Sequence, residues 1–256
     1  MSVDLLSTAI LRVFAVMILC ATVTTTVSAQ TVVASQDFDT PLNLNSQMID
    51  PDGSTFTAAG DMFNVSNQEG TGNPDGLPFA MADDSFDGSC RNGNFPGDSQ
   101  GFIGCSYPDG NFFGVVDLDN NDNTDGMGTV DLAFQIDGAT DLVVSIDMAA
   151  MGDFEASGDV FNFSYSFDNG TFTPLFTSSV DEAASQDYTM EDGAVVNLSD
   201  PLSMNGTLLN ENFQTISGAL AGTGTVLYLH FEATNDGGGE AFAFDNIIVA
   251  SDAILC

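Results

Sequence analysis

Basic residues are almost missing from this chain. Arg12 and Arg91 are its only two, it has no lysine, and its one histidine is His230. Against them stand 37 Asp and Glu residues, giving a formal net charge of −35 at pH 7. A protein that neutralises phosphates needs Lys and Arg, so nucleic-acid binding is excluded, as is attraction to anionic lipid. Acidic polysaccharides are repelled unless cations bridge them. A surface this acidic also repels itself, which destabilises the compact state unless ions screen it or bind to it. The chain therefore calls for a saline medium, filled Ca²⁺ sites, or both, and a solvated surface accounts for most of the acids.

Other absences narrow the function further. With one histidine and no HExxH pattern, no Ser-His-Asp or Cys-His set emerges. A glycosidase-type carboxylate pair has no specificity among so many acids. Tryptophan is absent altogether. Long apolar runs are absent except at residues 13–23, which follow Arg12 and precede the small residues Val27-Ser28-Ala29. That pattern predicts a signal peptide over residues 1–29, cut after Ala29. The run is short for a membrane span, and the bulky Leu19 before Cys20 argues against a lipoprotein site. The remainder, 30–256, is expected to be secreted, extracellular and not inserted in a membrane. At that size a β-sandwich is commonly one domain.

Three cysteines remain after export. Cys90 and Cys105 bracket an Asn/Gly-rich loop and are expected to form a disulfide in an oxidising compartment, contributing roughly 3 kcal/mol by loop closure. Unpaired thiols or a metal pair are the alternatives. Cys256 has no obvious mate and leaves open a bond to a second chain, or a chain that continues beyond it.

What the sequence has in abundance is strand signal. Leu132, Phe134 and Ile136 alternate with polar or small neighbours, as do Leu142, Val144, Ile146 and Met148. The same holds for Phe161, Phe163, Tyr165 and Phe167, and for Leu227, Leu229 and Phe231. Period two with one apolar face predicts half-buried strands. Turn clusters separate them, and Asp168-Asn169-Gly170 reads as a tight hairpin. The whole predicts an all-β, antiparallel jelly-roll β-sandwich. Residues 67–110 are poor in strand pattern and read as a long loop insertion. It holds the expected disulfide and Arg91, with Phe95, Phe102, Tyr107, Phe112 and Phe113 around it. Arg91, Phe95, Phe102 and Tyr107 are the candidate ligand-binding residues, because loop rings stack on sugars or anchor partners. A small satellite core under the loop is the competing reading of the rings.

The last strand, EAFAFDNIIV at 240–249, sets Asp245 among apolar residues. An unpaired buried carboxylate is costly, and in so acidic a protein the expected partner is a cation. Asp37 and Asp39, two apart near the mature N-terminus, are expected on one strand face and to share that cation with Asp245. Glu155 and Asp159, just before the Phe161 strand, are expected to complete the shell. Ca²⁺ is the expected ion, since it takes six to eight oxygens. The acidic run 117–126 does not match an EF-hand loop and reads as a solvated loop. Among the N-x-S/T triplets, Asn169 and Asn205 lie in turn-like sequence and are the candidate glycosylation sites.

Asp37-Phe38-Asp39, the segment 159–170 and the closing Phe244-Asp245-Asn246-Ile247 together resemble secreted jelly-roll modules related to carbohydrate-binding and MAM-type domains. The resemblance implies a structural Ca²⁺ shared by the first and last strands, and a glycan or extracellular protein as partner. Its sugar-binding members commonly present Trp platforms, which this chain lacks. The expected function is a Ca²⁺-stabilised, non-enzymatic binding or adhesion module for neutral glycan at the cell surface or in extracellular matrix. The alternatives are a structural subunit of a surface layer or filament, with a homo-oligomer formed through Cys256 or a donated N-terminal strand, and a glycoside hydrolase.

Overall fold

The computed structural model describes residues 30–39, 47–49, 62–66, 110–119, 126–189, 195–237 and 239–252. The segment 1–29, the Cys90–Cys105 pair, Arg91, Phe95, Phe102, Tyr107 and Cys256 lie outside the described residues.

The alternating stretches become strands, and the strands form two sheets. One sheet contains β1 (Gln30–Gln36), β3 (Met62–Ser66), β4 (Phe112–Val116), β6 (Leu142–Met151), β13 (Gln214–Ala219) and β15 (Ala241–Asp252). Its order is β13-β6-β15-β4-β3, with β1 also paired to β15. The other contains β2 (Gln47–Ile49), β5 (Gly128–Gln135), β7 (Val160–Phe167), β8 (Thr173–Val180), β11 (Leu202–Met204), β12 (Thr207–Leu208) and β14 (Val226–Thr234). Its order is β12-β11-β8-β7-β14-β5-β2. A separate pair, β9 (Ser185–Thr189) and β10 (Val195–Ser199), stands apart from both. Neighbours pair antiparallel, and from β4 to β7 and again from β13 to β15 the chain changes sheet at each connection. This is the expected jelly-roll β-sandwich.

Period two explains the core. On β14, Leu227, Leu229, Phe231 and Ala233 are buried while Tyr228, His230 and Glu232 face outward. Within one sheet the cross-strand pair Phe163 and Phe231 meet at 4.6 Å, and between the sheets Phe231 meets Phe244 at 4.8 Å and Phe161 stacks on Phe242 at 4.6 Å. Each such side chain contributes about 1.5–3 kcal/mol by leaving water, and the ring geometry adds to that. Phe112 and Phe113, expected beside the loop, lie instead on β4 and are fully buried on opposite faces. Phe113 joins the inter-sheet core, and Phe112 packs with Ala149, Ala241, Ala243 and Phe213 on the far side of its sheet.

The hairpin read at Asp168-Asn169-Gly170 is present. Asp168 (φ 50°) and Asn169 (φ 60°) are both left-handed, as a type I′ turn requires, and the Gly170 N–H closes on the Phe167 carbonyl at 2.9 Å. The Asp168 carboxylate adds a tertiary role, accepting the Thr225 and Val226 N–H groups at 2.9 Å.

Two features position the acidic sites. First, β1 closes on β15 within its own chain, with Gln30 opposite Asp252 and Gln36 opposite Ile247. The N-terminal strand, which the alternative reading offered to a neighbouring chain, is here paired within its own. Second, β14 runs antiparallel to β7 with Thr234 opposite Val160, and β15 runs antiparallel to β6 with Ala241 opposite Met151. The β6–β7 and β14–β15 connections therefore cross between the sheets side by side, in opposite directions, at one end of the sandwich.

Candidate functional site

Asp245 stands where β15 bulges. Its ladder partner on β6 is Asp147, but Ile248 pairs with Ser145, so one extra residue is accommodated on β15. Asn246, left-handed at φ 48°, absorbs the bulge. Asp245 is 2% exposed, and its Oδ1 atom has no hydrogen-bond partner. Burial pushes its carboxyl up to about 7. The Asn246 backbone N–H works against that rise, and the Asp39 and Asp37 charges add to it.

Asp37 and Asp39 thus reach Asp245, though not as two residues on one strand face. The strand ends at Gln36, and the backbone turns at Phe38 (φ 54°), where the Asp39 N–H donates to the Asp37 carbonyl at 2.7 Å. A positive φ on an aromatic residue is a real outlier. Two contacts hold it: the Gln36 Oε1 atom accepts the Phe38 N–H at 2.7 Å, and the Phe38 ring packs 5.6 Å from that of Phe244. Asp39 Oδ1 accepts the Asn111 N–H at 2.7 Å, tying β1 to the start of β4.

Glu155 and Asp159 do not complete this shell. Asp245 lies five residues beyond Glu240 along an extended strand, about 17 Å away, and Glu155 and Asp159 sit at the Glu240 end. There they meet Asp236 and Glu240, two residues that sequence reading passed over. One ligand oxygen from each of the four lies within 4.8 Å of the others, the one such carboxylate group among the described residues. Asp159 and Glu240 are buried at 4% and 5% exposure, while Glu155 and Asp236 reach solvent. Burial and the neighbouring acids raise both buried carboxyls well above the ordinary range.

Local turns fix these residues. Glu155 N–H donates to Asp159 Oδ2 at 2.5 Å, and Glu155 carbonyl accepts the Asp159 N–H at 2.9 Å. Across from them, the fully buried Asn235 donates to the Glu240 carbonyl at 2.9 Å, and the Glu240 N–H donates to the Gly237 carbonyl at 3.1 Å. A Cβ on Gly237 would stand 2.4 Å from Glu240 Oε1, so glycine there lets the carboxylate fold back over the turn. The four acids fit a metal ion. Oxygens bound to one Ca²⁺ at about 2.3–2.6 Å lie at most about 5 Å apart.

The outer face of the seven-stranded sheet is of a different kind. Along β14, Tyr228, His230 and Glu232 point out of the sandwich. In register, His230 stands between Asp131 on β5 and Ser164 on β7, and Glu232 stands between Thr129 and Asn162. His230 Nδ1 pairs with Asp131 Oδ1 at 2.7 Å, and the exposed Phe172 ring lies 5.3 Å from the imidazole. Asn162 Nδ2 donates to Glu232 Oε1 at 3.3 Å. Ser164, His230 and Asp131 stand abreast, a row that sequence separation concealed. Of the three, only His230 and Asp131 are joined by a side-chain hydrogen bond.

Of the two glycosylation candidates, Asn169 sits exposed at the hairpin tip. Asn205 is left-handed (φ 48°), and its amide is engaged, accepting the Thr177 N–H and donating to the Leu175 carbonyl, both at 3.0 Å. Asn162, in a further N-x-S/T triplet, lies within β7.

The fold is an antiparallel jelly-roll β-sandwich, similar to solved carbohydrate-binding and adhesin domains. No family model and no curated protein matches the chain. Among solved structures it is similar to the CBM22-1 xylan-binding domain of Paenibacillus barcinonensis Xyn10C, at 8% identity and a TM-score of 0.35, covering 88% of this chain and 98% of that one. It is also similar to the K1 cleaved adhesin domain of Lys-gingipain from Porphyromonas gingivalis W83, at 11% identity and a TM-score of 0.43, covering 86% and 98%. A third similar structure is SCLam, a non-specific endo-β-1,3(4)-glucanase of family GH16, at 10% identity and a TM-score of 0.29, covering 87% and 97%. The likeness in each case is one of sandwich architecture.

Proposed function

We propose that this chain is an exported, Ca²⁺-stabilised binding or adhesion module that recognises neutral glycan at the cell surface or in extracellular matrix and has no catalytic chemistry of its own. One observation carries the reading. The outer face of the seven-stranded sheet gathers the Tyr228, His230 and Phe172 side chains beside the polar groups of Asp131, Asn162 and Glu232. Ring faces stack on sugar C–H surfaces while amides and carboxylates accept or donate to hydroxyls. The net charge of −35 turns acidic glycans away and leaves neutral ones. In this reading Ca²⁺ binds at Asp245 with Asp37 and Asp39, joining the first strand to the last.

The test is affinity electrophoresis of the mature protein in gels containing neutral polysaccharides. Xylan comes first, since one of the similar domains is named for binding it. The expected result is retardation by at least one neutral glycan, weakened tenfold or more by Tyr228→Ala or Phe172→Ala. Absence of retardation in every neutral glycan, or unchanged retardation in both variants, removes the reading.

A further inference from the structure

We propose that Glu155, Asp159, Asp236 and Glu240 form a second Ca²⁺ site, separate from Asp245, that clasps the two sheet-to-sheet crossovers at one end of the sandwich.

The placement follows from register. Glu155 and Asp159 lie four residues apart in the connection that leads into β7, and Asp236 and Glu240 lie four apart in the connection that leads into β15. Because Thr234 pairs with Val160 and Ala241 with Met151, the two connections run side by side and each presents its acids to the other. The backbone turns at Glu155–Asp159 and Gly237–Glu240 fix these positions through hydrogen bonds of their own.

A cluster of exposed acids would need no ion, because water satisfies it. This cluster differs at its inner wall. Asp159 Oδ1 and Glu240 Oε2 are both buried with no hydrogen-bond partner, on side chains 4% and 5% exposed. Each is a buried acceptor whose desolvation no protein donor compensates, a cost that is greater for a charged group. The described residues around them supply no cationic side chain, since the only Lys or Arg beyond residue 30 is Arg91. A divalent ion satisfies both oxygens at once and draws its remaining ligands from Glu155, Asp236 and water on the open side.

The donor set selects the ion. Four carboxylates and no nitrogen or sulfur favour a hard cation. Mg²⁺ dehydrates reluctantly and is usually held by one or two carboxylates, whereas Ca²⁺ accepts many oxygens in flexible geometry. The competing occupant is a proton shared between the two buried carboxyls, which would satisfy the same oxygens without metal.

Calorimetric titration with Ca²⁺ alone, in chelator-treated mature protein at pH 8 and matched ionic strength, separates these outcomes. Two Ca²⁺ per chain are expected. Asp236→Asn and Glu240→Gln should each weaken one of them at least tenfold and leave the other untouched, while Asp245→Asn should do the converse. Gly237→Ala keeps all four acids and the net charge but displaces the Glu240 carboxylate, so it should weaken the same event as Glu240→Gln. Asp141→Asn, an exposed acid far from both sites, should change neither. Asp236 reaches solvent, so its variant tests the site even if Glu240→Gln fails to fold. The proposal is overturned if the wild-type chain takes up only the Asp245-dependent ion, which would leave the proton as occupant. It is equally overturned if Asp236→Asn and Gly237→Ala bind as the parent does. Retardation by neutral glycan is scored separately and does not depend on either result.

Discussion

Asp245 stands directly opposite Asp147 in the β15–β6 ladder, and only Asp147 is fully provided for. Asp147 accepts Thr215 Oγ1 at 2.5 Å and Asn246 Nδ2 at 3.1 Å, while Asp245 keeps a buried Oδ1 atom without a partner. Burial disfavours an ionised Asp245, and the Asp39 and Asp37 charges add to that, so the acid calls for a proton or a cation.

That condition has a pH signature. The folded carboxyl of Asp245 is raised from 3.8 to about 7. A raised pKa means the fold prefers the protonated acid. The contribution is fully present below pH about 4 and is lost as pH rises through about 7. In chelator at pH 8, Asp245→Asn should therefore be more stable than the parent by about 2–4 kcal/mol, converging with it near pH 4. Excess Ca²⁺ should reverse the order, because only the parent gains binding energy, about 2.7 kcal/mol at a hundredfold excess over Kd. Urea midpoints measured across pH with and without Ca²⁺ check both halves. A pH-independent difference between the two proteins would sink the assignment.

The inter-sheet core should tolerate truncation poorly. Phe231 contacts Phe63, Phe163, Phe242 and Phe244 at ring distances between 4.6 and 6.2 Å and is 1% exposed. Phe231→Ala should cost about 3–5 kcal/mol. Phe172→Ala, on an exposed ring, should cost under about 1 kcal/mol. Denaturant melts of the two variants side by side measure the contrast.

The left-handed Asn169 and Asn205 should separate by their side chains. Asn169 has φ 60° and an exposed side chain, so Asn169→Gly is expected to be neutral or slightly stabilising. Asn205→Gly relieves the same backbone but removes both amide hydrogen bonds, and should lose about 1–2 kcal/mol. Thermal melts would count against this account if the two substitutions behaved alike.

Tyr165 is mostly buried, with its hydroxyl turned to the strand end. It accepts the Ala221 N–H at 2.9 Å, fastening the β13–β14 connection to β7. Tyr165→Phe leaves that N–H without its acceptor and should cost about 1–2 kcal/mol. The loss should appear as faster amide exchange at Ala221, a readout that ring packing alone would not move.

Much of this was legible in the residues themselves. Alternation along 132–136, 142–148, 161–167 and 227–231 marked four central strands, because side chains on a strand fall to opposite faces and one face here is apolar. Asp168-Asn169-Gly170 announced its turn through residues that accept positive φ. The isolation of Asp245 among apolar neighbours announced a buried acid. Phe112 and Phe113 were misplaced because consecutive aromatics carry no period. Both are buried only because β4 is covered on each face, by the opposing sheet on one side and by Phe213 on the other.

By itself the sequence determined the class of fold, the acidity that repels anionic ligands unless cations bridge them, and the buried carboxylate of the last strand. These follow from composition and from a two-residue period, which are properties of the chain read one residue after another. The tertiary structure decided which acids meet. Asp236 carried only the signal of a turn, and Glu155 and Asp159 lie some 80 residues before it. Their meeting with Glu240 depends on the antiparallel register of β14 with β7 and of β15 with β6. Register is set by many distant pairings at once, so the four-carboxylate site, and the Asp131–His230–Ser164 row, exist only once the sheets have formed.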